Sequence, residues 1–157
     1  MNQRQSPAPF VALAILLAGL SLTLAAQPGR TVADGVYSEE QAKRGQVTYD
    51  AQCGACHGAT LAGTLAPPLA GADFLGFWDK SPVAELVDKT QNTMPATSPG
   101  SLTRGQATDV VAYVLKVSGF PSGSADMSAD DSLKTITIVL TGNGPAAAVP
   151  SAAVPPR

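Results

Sequence analysis

The sequence predicts an all-α domain with a loose C-terminal extension. Three stretches carry a helix start signal followed by apolar residues at helical spacing, and one short stretch alternates as a strand does. The chain has no internal repeat. A small helical domain of this kind needs a shared core, which the side chains alone must supply unless another group contributes.

The composition limits what that core can be made of. The 157 residues suffice for one small domain, and the formal net charge of -2 excludes the basic surface that nucleic-acid binding requires. Aromatic residues make up 5% of the chain, with a single Trp, while 15 Gly and 13 Pro dilute the ordered part. Because large side chains are scarce, we expect a non-protein group to fill part of the interior.

The N-terminus has the layout of a secretory signal peptide. Arg4 supplies a positive charge, residues 10–24 are almost uninterruptedly apolar, and small residues follow. We therefore expect residues 1–26 to be a signal peptide that exports the protein to a Gram-negative periplasm. The apolar run is near the lower limit for crossing a bilayer, so a retained membrane anchor is the alternative. Residues 27–37 are predicted to be a polar lead-in.

The first predicted helix starts after this lead-in. Ser38 is the N-cap candidate, and Glu39 and Glu40 lie in the first turn, where the helix dipole favours acidic residues. Gln41 stands where it would complete a capping box with Ser38. The helical pattern continues to about residue 52.

The second predicted helix is separated from the first by a segment without periodicity. Residues 54–76 are rich in Gly, Ala and Pro, which predicts a long loop of the kind that wraps a ligand. Ser81 followed by Pro82 is typical of a cap and a first helical position. This helix is predicted to run to about Asn92.

A third helix follows another Pro-containing loop, residues 94–102. Thr103 and Gln106 have the spacing of a capping box, and Gly119 is a stop signal. The third helix is therefore predicted between these residues.

The C-terminal part is predicted to be less regular. Within residues 123–142, the run from 133 to 140 alternates Ile136 and Ile138 with threonines. No partner strand is evident, so we expect an extended segment that lies on the domain unpaired. Residues 143–157 are mostly Pro, Ala, Val and Gly and are predicted to be disordered.

The chemistry of the chain is indicated by residues 53–57, which read C-G-A-C-H. This is the attachment signature of c-type haem. The thiols of Cys53 and Cys56 can add to the two haem vinyl groups as thioethers, and His57 can approach the iron from the same side. The macrocycle would then be the missing part of the core.

Two other interpretations of these residues are open. A C-x-x-C pair can be a redox dithiol, as in thioredoxin-like proteins, but that fold needs a strand before the motif and a helix pattern stands there. A Cys/Cys/His group can bind zinc, but no fourth soft ligand follows at a suitable spacing. Both are less consistent with the sequence than haem attachment.

With this motif and its neighbours, the sequence resembles the class I cytochrome c family. The resemblance covers Ser38 to Gly119. Gly45 and Tyr49 match the small and aromatic positions of the family's first helix, and Val110 and Tyr113 match their packing partners on the last helix. It implies three to five helices wrapped around one covalently attached haem c, within a domain that we place at residues 38–122.

The resemblance also implies further residues around the haem. Residues 66–69, A-P-P-L, resemble the segment whose proline carbonyl accepts a hydrogen bond from the ligand histidine. Pro67 is then the acceptor for His57, or Pro68 if the register differs by one. Trp78 falls where the family often has an aromatic residue near the haem propionates, and an ordinary core tryptophan is the alternative.

The sixth iron ligand is predicted by elimination and by the same resemblance. His57 is the only histidine, so two histidines cannot ligate one iron within this chain. Beyond the signal segment the candidates are Met94 and Met127. Met94 lies in the loop between the two later helices, and residues 93–95 resemble the family's distal-ligand segment. Met127 follows the last helix in a polar stretch, so we predict Met94 as the ligand.

Histidine and methionine together fill both axial positions of the iron. The implied function is a one-electron carrier and not an enzyme. A haem protein with an open sixth site, suited to gas binding or peroxidase chemistry, is one alternative, and a thiol–disulfide oxidoreductase is another.

Partners are suggested at the level of the subfamily. Residues 109–123 and the continuation to residue 138 are similar to small cytochromes associated with quinoprotein alcohol or sugar dehydrogenases. The similarity implies such a dehydrogenase as electron donor and an oxidase or another cytochrome as acceptor. We expect a monomer that does not bind nucleic acid and that contacts a membrane only through an uncleaved N-terminal segment.

Overall fold

The structure, a computed structural model, describes residues 29–140 and is mainly helical. The predicted all-α class is confirmed. Two-residue strands and two short 3-10 helices complete the secondary structure. The helices are α1 (Glu39–Gln52), α2 (Gly54–His57), α3 (Ala72–Trp78), α4 (Val83–Thr93) and α5 (Arg104–Val117). The strands are β1 (Arg30–Thr31) and β2 (Ile136–Thr137), and the 3-10 helices are Val32–Asp34 and Asp131–Thr135.

The predicted signal peptide and the predicted disordered tail, residues 143–157, lie outside the described residues. Among the helices of residues 29–140, none has both the length and the apolar character needed to cross a membrane.

The long helices begin where local sequence signals predict. The Ser38 hydroxyl accepts a hydrogen bond from the Gln41 backbone N–H at 3.0 Å, which caps α1. Thr103 and Gln106 form the predicted capping box at the start of α5. The start of α4 differs by one residue, because Pro82 is the N-cap and the helix begins at Val83.

The capping box predicted for α1 is not formed, because the Gln41 side chain has another partner. Its Nε2 donates to the Met127 carbonyl at 2.9 Å, and its Oε1 accepts from the Met127 N–H at 2.8 Å. The amide therefore satisfies both backbone groups of one residue in the C-terminal segment. It fastens that segment to α1.

The crossing of α1 and α5 is the tightest contact between helices. A Cβ placed on Gly45 would lie 1.8 Å from the Asp109 carbonyl oxygen, so only glycine allows this approach. Beside it, the rings of Tyr49 and Tyr113 pack at a centroid distance of 5.4 Å. Val110 is buried in the same contact. These four helix positions pack together as the sequence predicts.

The core includes residues at both ends of the described chain. Val32, Val36 and Tyr37 are buried, although the sequence predicts a polar lead-in there. The Tyr37 hydroxyl donates to the Phe120 carbonyl at 2.6 Å. Residues after α5 contribute further buried side chains, namely Phe120, Met127, Leu133, Ile136 and Ile138. The chain before α1 and the chain after α5 thus pack against each other.

The prediction of an unpaired extended segment from residue 133 onward is wrong. The chain there first forms a 3-10 helix over residues 131–135, and β2 then pairs in parallel with β1, with Arg30 opposite Ile136. The alternation of isoleucine and threonine was a correct sign of a strand. Its partner lies at the other end of the domain, so no local pattern could reveal the pairing.

The long loop predicted for residues 54–76 is also interrupted by helix. The single turn α2 continues from the end of α1, and α3 occupies residues 72–78. Both helices are shorter than the span over which helical periodicity can be recognised. The segment between them remains irregular, and it shapes the candidate site.

Candidate haem-binding site

The motif residues lie on one tight turn at the end of α1. The Cys53 carbonyl accepts from the backbone N–H groups of Cys56 and His57, at 3.1 and 2.9 Å. Within this turn Cys53 and His57 are buried and Cys56 is exposed. The turn therefore presents one thiol to the interior and one to the surface, with the imidazole next to them.

Cys53 and Cys56 are not joined in a disulfide. Burial is the main cause that raises the pKa of Cys53, and the nearby Cys56 adds to the effect. The reactive thiol of a dithiol oxidoreductase has a lowered pKa in electropositive surroundings. The buried Cys53, which follows a helix and not a strand, does not match that class.

The ring of His57 is oriented by a backbone carbonyl. Its Nδ1 lies 2.7 Å from the carbonyl oxygen of Pro67, a distance at which a protonated Nδ1 donates a hydrogen bond. In that tautomer Nε2 carries the lone pair and can bind a metal. Pro67, and not Pro68, supplies the carbonyl within hydrogen-bonding distance.

The loop after α2 folds back on the motif to bring Pro67 to this place. The Cys56 carbonyl accepts from the N–H groups of Leu65 and Ala66, both at 3.0 Å. The His57 carbonyl accepts from the Gly63 N–H at 2.8 Å. Gly63 has a φ of 79°, and a Cβ there would lie 2.9 Å from backbone atoms of the same loop. This glycine permits the reversal.

An apolar cluster lies under the motif. Cys53 packs there with side chains of α1, α5 and the loop: Tyr49, Leu61, Val110, Tyr113 and Val114. Leu69 and Phe74 are partly buried against it. The cluster gives the motif an apolar surface of the kind that an aromatic macrocycle can cover.

The remaining predicted residues are Trp78, Met94 and Met127. Trp78 is buried in the main core, where its ring packs against Phe74 and Phe77. Met94 is partly buried and ends α4 at its C-cap. Met127 is buried in the main core, although the sequence predicts a polar stretch around it.

Sequence reasoning missed one polar contact beside the motif. The Tyr49 hydroxyl donates to the Gly58 carbonyl at 2.6 Å, directly after His57. The phenol therefore fixes the point where the loop leaves α2. The only available signal was an aromatic residue one helical turn before the first cysteine, and it does not specify a hydrogen bond.

The donor set fits a covalently attached haem. Such a group requires two cysteines outside any disulfide on one turn, an oriented imidazole and an apolar cluster beside them, and all three are present. In the part of the chain that the structure describes, no group of three or more His, Cys, Asp or Glu side chains is arranged to hold a metal ion.

Buried tyrosines make stability depend on alkaline pH. Burial is the main cause that raises the pKa values of Tyr37 and Tyr49 to about 12. An unfolded tyrosine has a pKa of about 10, so between these values the unfolded chain loses protons first. We expect the contribution of these tyrosines to stability to be constant up to about pH 10 and then to fall as pH approaches 12. Thermal melts at a series of pH values measure this.

The variant Tyr49→Phe isolates the contribution of Tyr49 to the pH dependence of stability. It removes the hydrogen bond to Gly58 and should cost about 1 kcal/mol at neutral pH. Above pH 10 the difference from wild type should shrink, because the phenylalanine does not ionise. A variant whose melting curve keeps the wild-type dependence on pH would contradict the assignment to Tyr49.

Comparisons with known proteins give two matches of different kinds. Residues 40–114 match the family described as "Cytochrome C oxidase, cbb3-type, subunit III". The chain is 30% identical over 120 residues to "Cytochrome c-550" of Bacillus subtilis, an alignment that covers 69% of this chain and 93% of the relative. No solved structure matches significantly.

Proposed function

The chain belongs to the family of c-type cytochromes, and from this membership we propose that it is a periplasmic one-electron carrier whose haem iron is held by His57 and Met94. Membership implies one covalently bound haem c and a role in electron transfer with redox partners. The haem supplies a one-electron couple, and the protein residues attach it, orient its ligands and exclude water from it.

Attachment is assigned to Cys53 and Cys56. Because both thiols lie on one turn, they would be able to form two thioether bonds to the same haem. His57 follows directly, and the Pro67 carbonyl holds its ring. This hydrogen bond is the observation that carries the proposal, because it leaves Nε2 free for the iron.

We assign Met94 as the second residue that would ligate the iron, because Met127 is held in the protein core. The Met127 side chain is 3% exposed within the main core, and both its backbone N–H and its carbonyl form hydrogen bonds with the Gln41 side-chain amide. Releasing it would empty part of that core. Met94 instead ends α4 at the start of an irregular loop. A thioether ligand opposite histidine raises the reduction potential.

The assignment predicts opposite results for the two methionines. Oxidised wild-type protein should show the weak far-red band that a thioether sulfur gives on ferric haem. Met94→Ala should abolish this band, lower the potential and allow carbon monoxide to bind the reduced protein. Met127→Ala should keep the band and lose about 2–5 kcal/mol of stability, because it leaves a cavity in the core. Absorption spectra, redox titration and thermal melts measure these effects.

Two outcomes would contradict the proposal. If Met127→Ala removes the band and Met94→Ala keeps it, the ligand is Met127. If wild type has no band and binds carbon monoxide readily, the sixth site is open and the protein is suited to gas binding or peroxidase chemistry.

Location and donor are inferred from the sequence. The pattern of residues 1–26 supports export to the periplasm. The similarity of residues 109–138 to cytochromes associated with quinoprotein dehydrogenases supports such an enzyme as donor. Stopped-flow reduction of the oxidised protein by a quinoprotein alcohol dehydrogenase tests the donor. If the cytochrome is reduced no faster by the active dehydrogenase than by its apoenzyme, this donor is refuted.

A further inference from the structure

The loop of residues 63–67 is bonded to the backbone on both sides of His57. Its first N–H, that of Gly63, donates to the His57 carbonyl at 2.8 Å. The Cys56 carbonyl, on the other side, accepts from two further N–H groups of the loop, both at 3.0 Å. The loop that carries Pro67 is therefore attached to the peptide groups before and after the residue that bears the imidazole.

Thr64 adds a third donor to the Cys56 carbonyl. Its hydroxyl donates to that oxygen at 2.8 Å. Thr64 is the one residue of the loop, which reads G-T-L-A-P, that has a polar side chain. The Cys56 carbonyl thus fastens the loop by three hydrogen bonds, and only the bond from Thr64 can be removed by a substitution that leaves the backbone donors unchanged.

Burial does not hold this loop in place. Thr64, Leu65 and Pro67 are all exposed, Leu65 to 86%. An exposed segment with few apolar contacts opens locally at a small cost in free energy. The position of the Pro67 carbonyl, whose oxygen lies 2.7 Å from Nδ1 of His57, therefore depends on the hydrogen bonds of the loop.

We propose that Thr64 is a positioning residue of the electron carrier, and that its hydroxyl holds the loop so that the Pro67 carbonyl stays on Nδ1 of His57. The inference rests on the proposed function. A carbonyl that accepts the Nδ1 proton raises the basicity of a ligand imidazole. A more basic ligand favours oxidised over reduced iron, so the bond from Thr64 lowers the reduction potential.

The variant Thr64→Val tests this in the haem-loaded full chain. It removes the hydroxyl and keeps the size and the branching of the side chain. We expect the equilibrium between the oxidised and the reduced protein to shift about threefold towards the reduced form. For one electron this is a rise of about 28 mV, since a tenfold change corresponds to about 59 mV. Redox titration with soluble mediators measures the potential.

The exchange of the His57 Nδ1 proton with solvent gives a second readout. NMR of the reduced protein measures it, and we expect exchange to be about fivefold faster in Thr64→Val, because the loop opens more often. A contribution of Thr64 to stability alone would lower the thermal midpoint and would move neither the potential nor this exchange rate.

Two further variants assign the effect to the hydrogen bond. Thr64→Ser keeps the hydroxyl and should retain the wild-type potential and exchange rate. Thr60→Val makes the same chemical change three residues after His57. Thr60 is exposed, and within residues 29–140 its hydroxyl forms no hydrogen bond, so this variant should also behave as wild type.

Three results would overturn the proposal: an unchanged potential in Thr64→Val, a raised potential with unchanged exchange of the Nδ1 proton, or an equal rise in Thr60→Val. The third would mean that loss of any hydroxyl near the motif has this effect. A reversible couple in wild type that Thr64→Val leaves unchanged refutes the role of Thr64 alone. The absence of a reversible couple in wild type refutes the electron carrier and the role of Thr64 together.

Discussion

Gly45→Ala is expected to destabilise the protein more than the same change at any other helical glycine of residues 29–140. The new Cβ would lie 1.8 Å from the Asp109 carbonyl oxygen, which belongs to the backbone and cannot rotate away. The two helices must move apart, which also weakens the packing of Tyr49 on Tyr113. We expect a loss of about 3 kcal/mol or more, and a fall of roughly 10–20 °C in the thermal midpoint of the haem-loaded protein.

Gly105→Ala is the matched control for this variant. Gly105 lies in α5, and a Cβ there would meet no atom within 4 Å. Alanine in an exposed helix is favoured over glycine by roughly 0.5–1 kcal/mol, so the midpoint should rise. Equal midpoints for Gly45→Ala and wild type would show that the helices do not cross as closely as described.

The double variant Cys53→Ala/Cys56→Ala is expected to lose covalent haem completely. In wild type the haem should stay on the polypeptide through acid–acetone extraction and denaturing electrophoresis, because thioethers survive both. Without the thiols no such bond can form. The apoprotein should then fail to fold, because the apolar cluster under the motif loses the group that covers it.

Each single cysteine variant retains one thiol and provides a control for the double variant. Cys56→Ala changes an exposed side chain, whereas Cys53→Ala also removes a buried sulfur from the cluster. Both should keep some haem attached, with Cys53→Ala the less stable of the two. Haem that resists extraction from the double variant, or a well-folded double variant without haem, would refute the attachment.

The helices could be predicted to the extent that their signals are local. Ser38 and Thr103 cap helices through bonds to residues three positions on, and such spacing is visible in the sequence. Gln41 has the same spacing from Ser38, yet its side chain is taken by Met127. A capping pattern shows which bonds are possible. It does not show whether a distant backbone competes for the same amide.

The sequence by itself determined the chemistry of this protein, because five consecutive residues contain both thiols and the imidazole. The resemblance to class I cytochromes c also predicted the close helix crossing, since Gly45 and Tyr49 match the family positions that pack on the last helix. Only the tertiary structure decided that Pro67 and not Pro68 supplies the carbonyl that faces His57, that Met127 is buried, and that β2 pairs with β1. Each of these contacts joins segments that come together only after the loops have reversed the chain. The free energy of these contacts depends on the whole fold, so no local pattern of residues predicts them.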